Sequence, residues 1–314
     1  MDHIKETNKG KIIATCTSPR KGMQKKPVAE VILEKGSGIV GDAHAGFMHR
    51  QVSLLAWESI EKMRSKGLEV KEGDFAENLT TQGLILHKLS VGTRIITENN
   101  VFLRVSQIGK ECHGKCAVYF KCGECIMPEE GIFTEVLKGG KIKPGDFFEV
   151  LPAYKVGVIT VSDKASSGER EDIGGKNLAN LAKMIAEDIE TIIVPDEKEE
   201  IKKALLMLSD QREMDLILTT GGTGFAQRDN TPEITEEIIE KRTPGISEYI
   251  RMESARITKQ AILSRATSGI RGNTLIINFP GSPKAVEENW EIILPVLPHA
   301  MGILKGKIRE CARQ

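Results

Sequence analysis

The stretch Leu216–Glu233, LILTTGGTGFAQRDNTPE, decides the fold of the second half of the chain. Leu216, Ile217 and Leu218 form a short apolar run of the kind a buried parallel strand needs. The next six residues, TTGGTG, break that run with backbone largely clear of side chains. Gly221, Gly222 and Gly224 let the main chain turn sharply and approach a ligand closely, while Thr220 and Thr223 add hydroxyl donors. Such a loop suits an anion. Arg228 offers a cation for phosphate oxygens and Asp229 a carboxylate for Mg²⁺, and Thr231-Pro232-Glu233 reads as a helix start with cap, early proline and early acid. Most glycine-rich loops bind nothing, so the functional reading rests on the Arg-Asp pair and the threonines.

Working outward, Lys155–Val161 is a second apolar strand, followed by the polar loop Ser162–Gly168. A helix is expected over Lys176–Glu187, a strand over Thr191–Val194 ending at Pro195-Asp196-Glu197, and another helix from Glu197 to Leu208. Repeated strand-loop-helix units imply a parallel sheet with right-handed crossovers, so the loops after successive strands lie along its carboxyl edge. That geometry brings Ser162, Asp163, Asp196 and Gly221–Asp229 to one crevice. Asp196 and Asp229 then become paired carboxylates beside a phosphate loop, the set that nucleotidyl transfer requires. The alternative for Asp196 is a helix cap after a proline. Further on, Arg265–Gly272 with Thr274–Phe279 reads as a β-hairpin. Pro280-Gly281-Ser282-Pro283-Lys284 is a second tight turn into a helix, and its glycine, serine and lysine suit an anion at a helix start.

The whole chain has 314 residues and 40% hydrophobic content, enough for two buried cores, with a break at Leu151-Pro152-Ala153. We expect domains over 1–152 and 153–314. Lys plus Arg against Asp plus Glu gives 22 − 19 = +3 before the break and 22 − 25 = −3 after it. Neither half has the basic excess of a nucleic-acid binder. No apolar run approaches the ~20 residues of a membrane helix, and the polar first residues lack a signal-peptide core, which together predict a cytoplasmic protein with no membrane partner.

The first half reads as short β runs, Ile12–Ala14 and Val28–Leu33, around a basic loop, Ser18–Pro27. This loop, with Arg20, Lys21, Lys25 and Lys26, is either a solvated hairpin or a contact for a phosphorylated ligand. The segment Gly38–Leu55 then gathers Asp42, His44, His49 and Arg50 before an amphipathic helix; the histidines either ligate metal or bond to ligand and backbone. Gly73–Thr81 is expected to present Glu77 and Asn78, and strands follow at Arg94–Thr97 and Val101–Val105. About seven short strands with one or two helices predict a small β-barrel. Four of the six cysteines, Cys112, Cys116, Cys122 and Cys125, crowd one loop. They close a structural zinc site or, with Lys110, His113 and Lys115 lowering a thiol pKa, supply a reactive thiolate.

Two resemblances sharpen these readings. GxxGDxHAGxxHRQVSLL, ENLTTxGL, the cysteine loop and GIFTEVLKGGKIKPGD, spread over about Lys11–Leu151, resemble a MOSC domain. That resemblance implies a β-barrel binding molybdenum cofactor, with His44, Arg50 and Asn78 around the cofactor and a cysteine holding sulfur or molybdenum, Cys116 first and Cys112 or Cys125 next. VSDxASSGxxxDxxG, PDE, LTTGGTGxxxRDxTPE, PGxxE, AILSRxxxGIR and NFPGSPK, over about Lys155–Gly306, resemble the molybdopterin adenylyltransferases of the MogA and MoaB type, which include the gephyrin G domain. The resemblance implies a three-layer α/β fold, usually trimeric, that adenylylates molybdopterin with ATP and Mg²⁺. Asp196 and Asp229 would be the catalytic carboxylates. Ser162, Asp163, Ser167, the TTGGTG loop, Arg228, Pro280, Gly281, Ser282 and Lys284 would hold pterin and nucleotide. The implied partners are molybdopterin and ATP, then proteins that insert the cofactor and molybdoenzymes that receive it. A non-catalytic carrier of the cofactor is the alternative.

Overall fold

The computed structural model describes residues 8–46, 48–110, 119 and 125–306. It divides into two compact units, Met1–Pro152 and Ala153–Gln314.

The first unit is built on a closed barrel. Strands β1 (Lys9–Thr17), β2 (Lys26–Val28), β3 (Val31–Glu34), β4 (Gly38–Ile39), β5 (Val52–Ala56), β6 (Leu79–Gln82), β7 (Arg94–Thr97), β8 (Phe102–Ile108), β9 (Ile132–Lys138), β10 (Gly140–Ile142) and β11 (Phe147–Val150) follow in order. The barrel runs β11-β7-β8-β9-β5-β6-β1, and β1 closes it by pairing with β11, Lys9 opposite Glu149 and Lys11 opposite Phe147. At Gly10 the Phe148 ring occupies the place a Cβ would take, 2.4 Å away, so only glycine lets the closing strand pack. All barrel pairings are antiparallel except β5 with β6, which are parallel because helix α1 (Trp57–Ser65) carries the chain between them. Alternation sends Leu54 into the barrel interior with Ile12, Leu79, Ile95 and Leu103, while Leu55 faces outward onto Ile60, Met63 and Phe133 beneath α1. The expected barrel is present. The basic hairpin forms between β1 and β2 with Arg20, Lys21 and Lys26 exposed, but Lys25 does not join them and is buried against Asp42. Nor do Glu77 and Asn78 stand out on a loop, since both are buried where the chain enters β6.

The second unit is a six-stranded sheet of order β13-β12-β14-β17-β16-β15, its first four strands parallel and its last two antiparallel. The strands are β12 (Tyr154–Val161), β13 (Ala186–Val194), β14 (Leu216–Thr220), β15 (Lys241–Arg242), β16 (Ser268–Arg271) and β17 (Thr274–Phe279). One face carries Ile159, Ile217 and Ile276 against the helices Lys198–Leu206 and Thr231–Ile238. The other meets Ile173–Ala182 and Pro283–Ile293, whose Leu178, Val286 and Trp290 are buried. This is the expected α/β fold with a mostly parallel sheet, and the hairpin at 268–279 forms as read.

Three local expectations need correcting. The helix expected over Lys176–Glu187 runs instead from Ile173 to Ala182, because the Asp172 carboxylate accepts from the Gly175 amide and starts it early. β13 consequently begins at Ala186, where pairing with β12 imposes an extended backbone over residues that look polar in sequence. Thr231 is not a cap either: its hydroxyl donates to the Gly221 carbonyl at 3.0 Å, tying the helix start to the glycine turn.

Candidate active site

Loops leaving β12, β13, β14 and β17 share the carboxyl edge of the sheet, and a cavity of about 660 Å³ opens among them. Thr160, Ser162, Asp172, Asp196, Thr220 to Gly224, Asp229, Gly281 and Ser282 are among the residues on its walls. Its floor exists because glycines remove side chains where loops touch. Gly221 has φ +100° and a Cβ there would stand 2.3 Å from the Val161 carbonyl; Gly222 has φ +64° and would meet the Thr231 hydroxyl at 2.3 Å. Thr220 Oγ1 donates to the Pro280 carbonyl at 2.8 Å and so ties the two glycine turns together.

The two carboxylates arrive on different loops. The Asp196 carboxylate accepts from the Asp163 amide at 2.8 Å, while the Asp163 carboxylate accepts from the Asp196 amide at 3.0 Å. This reciprocal pair locks the loops after β12 and β13, and it, rather than helix capping, fixes Asp196: the helix after it starts at Lys198 with Glu197 before it. Asp229 is held by the Ala226 amide at 3.0 Å. Each carboxylate therefore has one oxygen bonded to a loop amide. Burial raises the pKa of Asp196 above the ordinary carboxylate value, and the negative charges of Asp163 and Asp229 add to the rise. The Asp229 charge thus reaches Asp196, a repulsion that a cation bound beside Asp196 would relieve.

Arg228 and Asp163 turn to each other. Arg228 Nε and Nη2 both donate to Asp163 at 2.9 Å, and Nη2 also reaches Glu197 at 2.8 Å. Those bonds hold Asp163 below the usual carboxylate range, with the Asp196 amide helping. Arg228 thus links the loops of three strands rather than pointing into the cavity. Ser162 caps the short helix Asp163–Ser166 and also accepts from Arg170 at 3.1 Å. Ser167 donates to Lys164 on the surface, and Lys284 is exposed, 3.8 Å from Glu288; neither is on the cavity wall. Sequence reasoning missed Thr160, Arg170 and Asp172 on that wall. Asp172 does stand inside the motif VSDxASSGxxxDxxG, and its bond to Thr160 Oγ1 at 2.8 Å is what places it.

In the first unit, Lys25 Nζ lies 2.6 and 2.7 Å from the two Asp42 oxygens, with both side chains buried. Burial opposes the Asp42 charge, but bonds from His44, Lys25 and the Ser18 amide outweigh it and hold that carboxyl below the ordinary range. His44 Nδ1 sits 3.3 Å from Asp42 with the ring partly exposed. Arg50 stacks over Phe133 and donates to Gln107, which also meets His49 at 3.1 Å. Asn78 is used internally: it accepts from Ser53 and donates to the Cys16 carbonyl. Cys125 packs beside the cluster under α1, whereas Cys112, Cys116 and Cys122 lie outside the described residues. Among the described residues no group of three His, Cys, Asp or Glu side chains is arranged for a metal, and no helix is long and apolar enough to cross a membrane.

A mostly parallel sheet with glycine turns and two carboxylates around a cavity at its carboxyl edge defines the class, an α/β domain with its candidate site at the ends of the strands. Residues 157–299 match the family described as probable molybdopterin binding domain. The chain is 42% identical over 154 residues to a molybdopterin adenylyltransferase of Helicobacter pylori, an alignment covering 48% of this chain and 88% of that protein. It is 46% identical over 150 residues to the molybdenum cofactor synthesis protein cinnamon of Drosophila melanogaster, covering 47% of this chain and 25% of that protein. It is also 39% identical over 140 residues to the molybdopterin adenylyltransferase of Escherichia coli, covering 44% and 72% respectively. Through its second unit the chain belongs to the molybdopterin adenylyltransferase family of molybdenum cofactor biosynthesis.

Proposed function

We propose that the second unit adenylylates molybdopterin with ATP, and that Asp196 and Asp229 are its catalytic carboxylates. The observation that carries this reading is the meeting of both carboxylates with the TTGGTG loop on one cavity, in a chain of this family. In the reaction a molybdopterin phosphate oxygen bonds to the α-phosphorus of ATP, the bond to the β-phosphate oxygen breaks, and pyrophosphate leaves.

The two aspartates suit Mg²⁺, which takes one or two protein carboxylates and completes its shell with water and substrate phosphates. Each has one oxygen anchored to a backbone amide and a second left for a cation. When bound, Mg²⁺ would neutralise phosphate oxygens on the nucleotide. The chain's own residues do the rest. The glycine turns at 221–224 and 281 admit the phosphates and ring close to backbone, Thr220 keeps those turns together, and the Asp163–Asp196 exchange sets where one carboxylate stands. Arg228 holds Asp163 rather than substrate. The protein acts as a homotrimer in the cytoplasm.

The barrel binds the same cofactor in this reading, as a MOSC-like module that stores, sulfurates or hands it on to insertion proteins and molybdoenzymes. Arg50 and His44 supply polar groups, and the cysteine loop, Cys116 above all, supplies the soft ligand in place of a structural zinc. Two modules for one ligand give the fusion its logic.

Purified protein given molybdopterin, ATP and Mg²⁺ should form adenylylated pterin and pyrophosphate. Asp229→Asn should lower the rate by about 100-fold or more while pterin still binds. Pterin binding without any ATP-dependent product from the wild type would leave a cofactor carrier instead of an enzyme.

A further inference from the structure

The loop that carries Asp229 is gripped from behind by a residue the mechanism above leaves unused. Arg265 stands on the segment leading into β16, 36 positions from Asp229 in sequence. Its backbone amide donates to the Thr223 carbonyl at 3.0 Å. Its Nε donates to the Gly224 carbonyl at 2.6 Å, its Nη2 to the carbonyl of Asp229 itself at 2.5 Å, and its Nη1 to the Glu233 carboxylate. One residue therefore satisfies three carbonyls of a single turn and anchors the helix that follows. All three guanidinium nitrogens are engaged with protein, and the side chain is only 32% exposed.

Resting on the assignment of Asp229 given above, we propose that Arg265 is a positioning residue for the transfer reaction: its planar fork sets where the Asp229 carboxylate stands relative to Asp196. A guanidinium meets two carbonyls and a carboxylate at once in fixed geometry, whereas a lysine ammonium is a point donor on a flexible stem. Without the fork, the carbonyls of Gly224 and Asp229 turn to water and the residues between them lose their common anchor. Asp229's own remaining bonds run to the Ala226 backbone, inside the same loop, and the neighbouring tie that leaves the loop, Arg228 to Asp163 and Glu197, acts through a side chain and leaves the carbonyls of Gly224 and Asp229 unheld. A displacement of about 1 Å in a catalytic group costs about 100-fold in rate.

The test compares full-length wild type with Arg265→Lys and Arg265→Gln, measuring kcat, KM for molybdopterin and for ATP, and amide hydrogen exchange across residues 221–230. Displacement of the carboxylate predicts kcat down about 100-fold with both KM values within about threefold of wild type. Exchange should rise in 221–230 and stay level in β12 and β17. A KM that rises at constant kcat would make Arg265 a substrate contact and overturn the proposal; so would loop exchange equal to wild type. Glu233→Gln removes one anchor of the guanidinium and carries the test if the Arg265 variants do not fold: a kcat loss of about tenfold with unchanged KM supports the proposal, and no loss refutes it. A wild type that makes no adenylylated product would refute the enzymatic reading, while the exchange comparison would still decide whether Arg265 holds the loop.

Discussion

Glu77 offers a pH signature that can be worked from its surroundings. It is fully buried at the entrance to β6; one carboxylate oxygen accepts from the Gly73 amide at 2.6 Å and Thr80 Oγ1 at 2.9 Å, and the other has no hydrogen-bond partner. Burial pushes its pKa from 4.5 to about 7 against the hydrogen bonds, led by the Gly73 amide, that favour the charged form. The folded protein therefore binds this proton more tightly than the unfolded chain. The stability this contributes is fully present below about pH 4.5 and is lost as pH rises through about 7. A rise of roughly 2.5 units corresponds to about 3 kcal/mol between the two limits. Glu77→Gln keeps the shape and removes the charge, so its effect should be small at pH 5 and stabilising by about 2.5 kcal/mol more at pH 8. The assay is urea unfolding at both pH values, followed by exchange of barrel peptides such as 79–82 and 132–138, so that the first unit alone is scored. Parallel pH dependences for variant and wild type would show that Glu77 is solvated or paired when charged, and the burial reasoning would fail.

Two further outcomes follow from close contacts. Lys25→Met strands the buried Asp42 carboxylate and should destabilise the first unit by about 3–5 kcal/mol, whereas Lys25→Met with Asp42→Asn should lose less; additive losses in urea melts would contradict a coupled pair. Gly221→Ala must place a Cβ at positive φ against the Val161 carbonyl and should cost the second unit on the order of 3 kcal/mol, checked by its thermal midpoint and refuted by an unchanged one.

What could be read from the chain depended on whether a residue's neighbours are set by local periodicity or by distant strands. The strand at Leu216–Thr220, the hairpin at 268–279 and the turn before Pro283 are legible because apolar runs of strand length are bounded by glycine or proline. The shared carboxyl edge followed from alternation of strand and helix, which places Asp196 and Asp229 near one another without any contact being visible in sequence. Lys25 and Glu77 were misread because charged residues are ordinarily outside, and only the fold reveals that Asp42 lies 2.6 Å from Lys25. Arg228 was ambiguous for a related reason. Its partners Asp163 and Glu197 lie 65 and 31 positions away, on loops whose approach is a product of sheet order. Arg265 stands in the motif AILSRxxxGIR, but nothing local told its role, since its targets, the carbonyls of Gly224 and Asp229 and the Glu233 carboxylate, lie more than 30 positions away.

The closing contact of the barrel has a consequence for how the protein is made. Lys9–Lys11 pairs with Phe147–Glu149, so the first strand waits for a partner almost at the end of its unit. Loop closure over such a separation makes for slow folding, and a ribosome adding about 5–20 residues per second would hold β1 with an unpaired edge for several seconds. A nascent or truncated chain ending before residue 147 presents that edge to other chains, and is the form in which aggregation and chaperone capture should concentrate.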